Sequence, residues 1–300
     1  MIAREGQTLE SFYRDQYQPL KLRSRSANTK RLYEFSIRNF TRFLGREALL
    51  SDFNDETVSR LICWMIERGR SPYTANKERS QLLAIWRFAA RKQIVSEWPD
   101  VEPEIQPVRV PRAWTGDELA RLFAACWDTP GAIGRVPARL WWYGLHLVGW
   151  DSGERITPLL KLRRSWLSVE TGMLRVPAEV RKGRRADRLY VLHPQTCDVL
   201  RQLLTFSGDL IFDWPHAKTH IYHHYDKIQL RAGLPVGREF RFHCLRKAVA
   251  SHGKAAGLDP QELMGHIDGR TTQRYLDPQI CAGKPASEVL FRPHTLPPNK

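Results

Sequence analysis

The chain has 300 residues and a mass of 34.9 kDa, and its 47 lysines and arginines against 32 aspartates and glutamates give a formal charge of +15. A hydrophobic content of 42% with 26% charged residues excludes a disordered chain, and the length predicts two domains. A positive charge of this size makes a polyanion the natural partner, and nucleic acid is the commonest one.

Membrane and disulfide-stabilised classes are also excluded. The longest apolar run, residues 140–150, is shorter than the roughly twenty residues that a membrane span needs. The N-terminal segment has no apolar stretch, so we expect no secretory signal. The 5 cysteines are scattered and form no C-x-x-C pair, which argues against a disulfide framework and a zinc site. We expect a cytoplasmic protein without a metal or other cofactor.

Residues 1–97 are predicted to form a helical bundle. Apolar residues recur at helical spacing over residues 26–44, over a helix capped by Asn54 or Asp55 and ended by Gly69, and over a helix that begins near Tyr73. A weaker helix is predicted over residues 9–17. No alternation typical of a strand interrupts these segments, so we expect an all-helical domain.

Residues 98–112 are predicted to form a linker. Four prolines stand four residues apart in this stretch, and proline removes an amide donor and disfavours helix at the preceding residue. A semi-extended segment is therefore expected between the two domains. The four are Pro99, Pro103, Pro107 and Pro111.

Residues 113–300 are predicted to mix helices with a small sheet. Thr115 and Glu118 form a capping box that starts one helix, and a second helix contains the apolar run and stops at Gly153. Short strands at 166–169, 174–176 and 189–192, separated by turns at 171–172 and 181–183, predict a three-stranded antiparallel sheet. Further helices are expected at residues 195–206, 222–231 and 245–256.

The positive charge is divided unequally along the chain. Residues 1–105 contain 18 basic and 14 acidic side chains, whereas residues 106–300 contain 29 and 18. The second part therefore carries a net charge of +11 and the first only +4. We expect the stronger attraction for a polyanion on the second part.

The second part contains an ordered set of phosphate-binding and proton-transfer groups. His243 and Arg246 stand three residues apart at the start of a helix, a pattern that chance alone would produce about once in a chain of this composition. The set gains meaning from its other members: Arg155 after a Ser-Gly-Glu helix break, Lys182 near the tip of a hairpin, and Met-Gly-His266 followed nine residues later by Tyr275.

This set resembles the tyrosine recombinase, or phage integrase, family. The resemblance implies a mainly α fold with a small antiparallel β-sheet: an N-terminal helical bundle, the SAM-like core-binding domain, at residues 1–97, then an α+β catalytic domain at residues 113–300. It implies a site-specific DNA recombinase or integrase that cleaves and rejoins strands through a 3′-phosphotyrosyl intermediate, without metal or ATP. The catalytic residues implied are Arg155, Lys182, His243, Arg246, His266 and Tyr275.

The chemistry accounts for these residue types. Two arginines can clamp the nonbridging phosphate oxygens, which is the role implied for Arg155 and Arg246. A tyrosine hydroxyl is neutral at pH 7 and needs a base, implied to be His243, while His266 donates a hydrogen bond to the phosphate. The leaving 5′ oxygen needs a proton, and the resemblance assigns it to Lys182. Alternative donors for that proton are Lys161, Arg184 and Arg185.

Two positions depart from the family pattern. An acidic residue commonly stands three positions after the first arginine, where this chain has Pro158. His-Ser or His-Thr commonly follows the second arginine, where this chain has Lys247 and Ala248. We expect the departures to alter rate and geometry more than the type of reaction.

Further basic side chains are candidate DNA contacts, although an ordinary charged helix face explains those of the first part equally well. The cluster His216, His220, His223 and His224 has spacings that could seat a metal, but with no cysteine in this stretch we expect a solvated or DNA-facing helix. The DNA-binding candidates are Lys30, Arg31, Arg38, Lys77, Arg79, Arg181, Arg184 and Arg185.

The resemblance also implies partners. We expect double-stranded DNA, a homotetramer on that DNA in which the C-terminal tail docks on a neighbouring subunit, accessory DNA-bending factors and association with the nucleoid, with no membrane contact. Two other hypotheses remain at this point: a type IB topoisomerase that relaxes supercoils as a monomer, and a DNA-binding regulator that has lost catalysis.

Overall fold

The computed structural model describes residues 6–181, 183, 186–217, 219–265 and 268–281. Its contacts divide the chain into one compact unit that ends at Val108 and a second that begins at Arg109. The predicted fold class, mainly α with a small antiparallel sheet, is confirmed. No helix within the described ranges is long and apolar enough to cross a membrane.

The first unit is helical throughout its described residues, apart from loops and one isolated bridge between Thr8 and Leu49. A π-helical turn, Tyr13–Tyr17, joins its first two helices and extends the predicted first segment beyond residue 17. Four helices begin after a residue whose side chain accepts a hydrogen bond from a backbone amide three residues later: Thr8, Ser26, Asn54 and Ser71. The helices are α1 (Leu9–Phe12), α2 (Gln18–Lys21), α3 (Ala27–Leu44), α4 (Asp55–Glu67) and α5 (Pro72–Arg91).

A stack of aromatic rings forms the centre of the first core. Phe53 lies between Phe40 and Trp86, with ring centroids 5.8 and 5.5 Å apart and nearly parallel planes. The indole nitrogen of Trp86 donates to the carbonyl of Glu97 at 2.9 Å, so this fully buried ring also holds the chain after α5.

The proline-rich stretch differs from a simple spacer. Residues 97–115 contain neither helix nor strand, but Val101 is buried in the first core. The side-chain amide of Asn76 exchanges two hydrogen bonds with the backbone of Glu104, at 2.7 and 2.8 Å. The first half of the predicted linker is therefore packed on α5, because its backbone groups find partners there, whereas Val108 is 98% exposed.

The second unit is built around one apolar helix, α7. The apolar run of residues 140–150 lies in this helix, and the side chains of Trp141, Leu145 and Val148 are fully buried. Gly149 is required where α7 crosses α11, because a Cβ at this position would lie 2.7 Å from the Phe242 ring. The helices are α6 (Gly116–Trp127), α7 (Ala138–Ser152), α8 (Ile156–Leu159), α9 (Pro194–Leu203), α10 (His220–Arg231), α11 (Phe242–Ala255), α12 (Pro260–Met264), α13 (Gly269–Gln273) and α14 (Pro278–Cys281).

The predicted three-stranded sheet is present and antiparallel, in the order β3-β4-β5. Leu174 and Val176 face the core, while Val191 is 72% exposed. A separate hairpin, whose two strands are each two residues long, lies directly before α7. The sequence pattern did not indicate it. The strands are β1 (Ala132–Ile133), β2 (Val136–Pro137), β3 (Leu167–Ser168), β4 (Met173–Val176) and β5 (Arg188–Val191).

The connection from β4 to β5 lies between the strand ends that the sequence predicts, and the predicted turn at residues 181–183 falls inside it and includes Lys182, which lies outside the described residues. It covers residues 177–187 and includes a 3-10 turn at Ala178–Val180. Pro177 ends β4 because it has no amide hydrogen for the ladder.

A buried histidine should make the protein sensitive to acid. His146 on α7 is fully buried, and burial lowers its pKa from 6.5 to about 4, while the carbonyl of Trp142 lies 2.7 Å from Nδ1. The unfolded chain binds a proton near pH 6.5 and the folded one does not, so stability should fall as pH drops from about 6.5 to 4, by about 3 kcal/mol in total.

Urea unfolding across this pH range tests the expectation. His146→Phe should flatten the decline, because the surroundings include Tyr225 and Phe242 and can accept a ring. The exposed His223 provides the matched control, and His223→Gln should keep the wild-type slope. Equal slopes for wild type and His146→Phe would contradict the assignment.

Candidate active site

The first turns of α11 place His243 and Arg246 on one side of the helix. The helix begins at Phe242, three residues before the predicted start, because Arg241 is extended and its carbonyl accepts a bond from the Cys244 amide. His243 is exposed, whereas Arg246 is only 2% exposed. One residue of the pair therefore faces outward, and the other is fixed inside the protein.

Arg246 joins two segments through its guanidinium. One terminal nitrogen donates to the carbonyl of Gly153, and the other donates to the carbonyl of Met264 at 3.0 Å. Burial lowers the pKa of Arg246 and the nearby charge of Arg155 lowers it further, yet arginine stays protonated at neutral pH. The result is a fixed cation between the turn before Arg155 and the end of α12.

Tyr275 lies against both residues of α11. The guanidinium carbon of Arg246 is 5.5 Å from the centroid of the Tyr275 ring, and the two side chains are hydrogen bonded. The His243 ring lies 4.9 Å from the same centroid at an interplanar angle of 64°. The tyrosine is 8% exposed, so the predicted nucleophile, base and phosphate clamp form one cluster.

The backbone around Tyr275 is held from both sides. The Ser251 hydroxyl donates to the carbonyl of Tyr275 at 3.2 Å and accepts from the amide of Asp277 at 2.9 Å. The buried Asp277 carboxylate accepts from the amide of Ala113 at 2.7 Å. Sequence reasoning missed Ser251 and Asp277, because nothing local marks a partner 164 residues away.

Gly153 ends α7 in a left-handed conformation. Arg155 comes two residues later, at the start of α8, and its side chain is half-buried. Its neighbour Glu154 is 1% exposed and was not predicted. One Glu154 oxygen accepts from Arg181 Nε at 2.6 Å and from the Tyr190 hydroxyl at 2.8 Å, and the other accepts from the Arg155 amide at 3.2 Å. Burial alone would raise the pKa of Glu154, but Arg181 and Tyr190 hold it below its usual value.

The positions that depart from the family pattern lie inside the fold. Pro158 is buried in α8, and Ala248 is fully buried in the second core. Lys247 is half-buried beside it. The buried acidic side chain next to the two arginines is Glu154, one position before Arg155.

Three of the candidate DNA contacts donate hydrogen bonds within the protein, and one of them is the exposed Arg31, which donates to the side chain of Asn28 at 2.9 Å. Arg79 donates through Nε to the carbonyl of Val101 at 2.8 Å, and Arg181 is held by Glu154. Arg31, Arg38 and Lys77 are exposed on α3 and α5, and Lys30 is half-buried. Lys182, Arg184, Arg185 and His266 lie outside the described residues.

Two histidines of the cluster, His216 and His224, pack on a tryptophan. Trp214 lies 5.2 Å from the His216 ring and 5.3 Å from the His224 ring, and those two rings stack on each other. Burial lowers the pKa of His224, and Lys227 lowers it further. Among the described residues, no group of three or more His, Cys, Asp or Glu side chains is placed to share a metal ion.

Comparison with known proteins identifies close architectural relatives. Tyrosine recombinases of Thermosipho africanus and Listeria innocua, the second named XerD, are 25% and 24% identical over 268 and 270 residues. These matches cover 85% and 83% of this chain and 90% and 88% of the relatives. Among solved structures, a lambda integrase dimer bound to a COC′ core site has a TM-score of 0.70 at 19% identity and covers 91% of this chain and 78% of its own.

A lambda integrase tetramer bound to a Holliday junction matches equally well, with a TM-score of 0.69 at 20% identity, covering 92% of this chain and 79% of that one. The model of the phage integrase family matches residues 112–280, more than half of the chain, and the predicted catalytic set lies within this range. The resemblance drawn from the sequence is thereby confirmed, and the chain belongs to the phage integrase family, the tyrosine recombinases.

Proposed function

We propose that the protein is a site-specific DNA recombinase that cleaves and rejoins DNA strands through a covalent 3′-phosphotyrosyl bond to Tyr275. The observation that carries the proposal is the cluster of His243, Arg246 and Tyr275 in a chain of the phage integrase family. The cluster supplies a nucleophile, a proton acceptor and a fixed cation at one place.

The reaction assigns each proton a destination. The Tyr275 oxygen attacks the phosphorus and its proton passes to His243, while the bond from phosphorus to the 5′ oxygen breaks. Lys182 protonates that 5′ oxygen. In the second step the 5′ hydroxyl of another strand gives its proton to Lys182 and attacks the phosphotyrosine, and the Tyr275 oxygen leaves with the proton that His243 holds. The phosphodiester energy is conserved, and no ATP is needed. His266 donates a hydrogen bond to the phosphate.

The electrostatics of the arginines favour this chemistry. Burial lowers the pKa of Arg246, and Arg155 is close enough for its charge to lower that pKa further. A phosphate between them relieves that repulsion, and the relief grows as charge builds on its oxygens during attack. Because carbonyls already hold Arg246, the clamp needs little reorganisation at the moment of reaction.

Double-stranded DNA is the proposed substrate, and a homotetramer on DNA is the proposed assembly. The relatives of similar fold include a dimer on a core site and a tetramer on a Holliday junction. We place the DNA-binding bundle at residues 1–97 and the catalytic domain at residues 113–300, with the C-terminal tail docking in trans. Accessory DNA-bending factors and a cytoplasmic, nucleoid-associated location complete the proposal.

Tyr275→Phe should abolish cleavage and preserve DNA binding, because only the attacking oxygen is removed. The measurement is covalent trapping on a nicked suicide substrate, with gel-shift affinity measured in parallel. Tyr222→Phe on α10 is the matched control and should form the adduct at the wild-type rate. A phenylalanine variant that still becomes linked to DNA would refute the assignment of the nucleophile.

The same protein distinguishes recombination from relaxation alone. Plasmids that carry two copies of the target site should yield joined products. Supercoil relaxation without any such product would instead favour the type IB topoisomerase hypothesis, and binding without an adduct would favour the regulator.

DNA affinity should fall steeply with salt, because phosphate contacts release counterions. Removing the exposed charges of Arg38 and Lys77 together should reduce the slope of log affinity against log salt by about 2. Arg79→Gln is the matched control on the same helix and should leave the slope unchanged, since Arg79 is bonded to Val101. A reduction of the slope by about 1 for Arg79→Gln would place Arg79 on the DNA.

Deleting residues 284–300 tests the proposed trans docking. If the tail links neighbouring subunits, the shortened protein should bind a single site normally and fail to form tetramers on DNA. Analytical ultracentrifugation with short duplexes measures both. Undiminished tetramer formation would show that the tail packs on its own subunit.

A further inference from the structure

Glu154 is a buried carboxylate that the reaction itself does not use. It stands between Gly153, whose carbonyl binds Arg246, and Arg155. Its two oxygens accept three hydrogen bonds, two of them from the loop before β5 and from β5 itself. This one side chain thus connects the turn that bears Arg155 to the β4-β5 loop, through Arg181, and to β5, through Tyr190.

Arg181 is the partner of Glu154 in the β4-β5 loop. Its side chain is 15% exposed, and besides the 2.6 Å bond to Glu154 it donates to the carbonyl of Ala186 at 3.0 Å. Arg181 therefore bridges the two ends of the segment 182–185. Lys182, the proposed acid, follows Arg181 directly in the chain.

A second contact fixes the other end of the same segment. Asp187 accepts from the amide of Ala178 at 2.9 Å and pairs with Arg175 of β4 at 2.7 Å. The base of the loop is thus held to the sheet by Asp187 and to the Arg155 turn by Arg181. Of these two contacts, only the Arg181 bond reaches the catalytic turn.

This chain has the uncharged Pro158 at the position where the family commonly has an acidic residue. The acidic side chain beside Arg155 and Arg246 is instead that of Glu154. A buried ion pair is held in one geometry, since separating it would leave a charge without a partner in the interior. Tyr190 fixes Glu154 from a third side. Arg181 and Glu154 thus have the rigidity that the placement of a neighbouring group requires.

We propose that Glu154 and Arg181 are positioning residues that fix the loop bearing Lys182 to the turn bearing Arg155, so that proton donor and phosphate clamp are aligned. This inference rests on the proposed function and on Lys182 as the acid. It gives Arg181 a role in the rate of cleavage and none in DNA affinity. Glu154→Gln and Arg181→Gln should accordingly slow cleavage without weakening binding.

The test compares two suicide substrates, one with the natural 5′ oxygen at the scissile phosphate and one with sulfur in its place. A sulfur leaving group departs without a proton, so only defects in proton donation disappear. On the oxygen substrate each variant should cleave about 100-fold more slowly, the lower end of what proton transfer contributes. On the sulfur substrate each should cleave about as fast as the wild-type protein.

Two control variants show whether a loss of cleavage comes from a defect in proton donation. Lys182→Ala should show the same pattern of loss and rescue. Asp209→Asn removes a carboxylate from the exposed pair with Arg163 in the same unit and should cleave both substrates normally. If Glu154→Gln fails to fold, Glu154→Leu combined with Arg181→Met removes both buried charges, and the same rescue by sulfur is expected.

Each outcome is decisive. Equal slowing of Glu154→Gln on both substrates would overturn the positioning role while leaving the recombinase assignment intact. Failure of sulfur to rescue Lys182→Ala would move the acid elsewhere and overturn the inference with it. A wild-type protein that forms no adduct on either substrate would contradict the proposed function itself.

Discussion

The catalytic half of this protein depends on one buried cation. Arg246 is almost completely enclosed, and the two terminal nitrogens of its guanidinium donate to the backbone carbonyls of Gly153 and Met264. A charge in the interior is tolerated only where it is hydrogen bonded or paired. The left-handed end of α7, the short helix α12 and the aromatic face of Tyr275 all meet around this group, so the site is assembled by satisfying Arg246.

The same constraint explains why polar groups recur around the site. Glu154 balances the two arginines and holds Arg181, while Ser251 and Asp277 anchor the backbone on either side of Tyr275. Reactive side chains need a fixed environment more than they need many contacts, because a small displacement removes the alignment on which proton transfer depends. The apolar helix α7 supplies the rigid support on which these groups are mounted.

Much of the fold could be predicted from local patterns. The caps at Asn54 and Thr115, the stop at Gly153 and the three-stranded sheet follow from short-range rules that act within a few residues. The short β1-β2 hairpin and the docking of Val101 on the first core did not follow. The strands of the hairpin are only two residues long, and the docking of Val101 depends on contacts with residues distant in the chain.

The sequence by itself determined which chemistry we propose, because two arginines, a histidine and a tyrosine stand in it at the spacing that resembles the phage integrase family. Only the tertiary structure decided which charges serve that chemistry. Arg181 and Arg79 look like any other basic side chain in the sequence, and folding commits both to partners inside the protein. Glu154 had no local signature, because its ion-pair partner lies 27 residues away and burial, which gives the pair its rigidity, is a property of the folded chain.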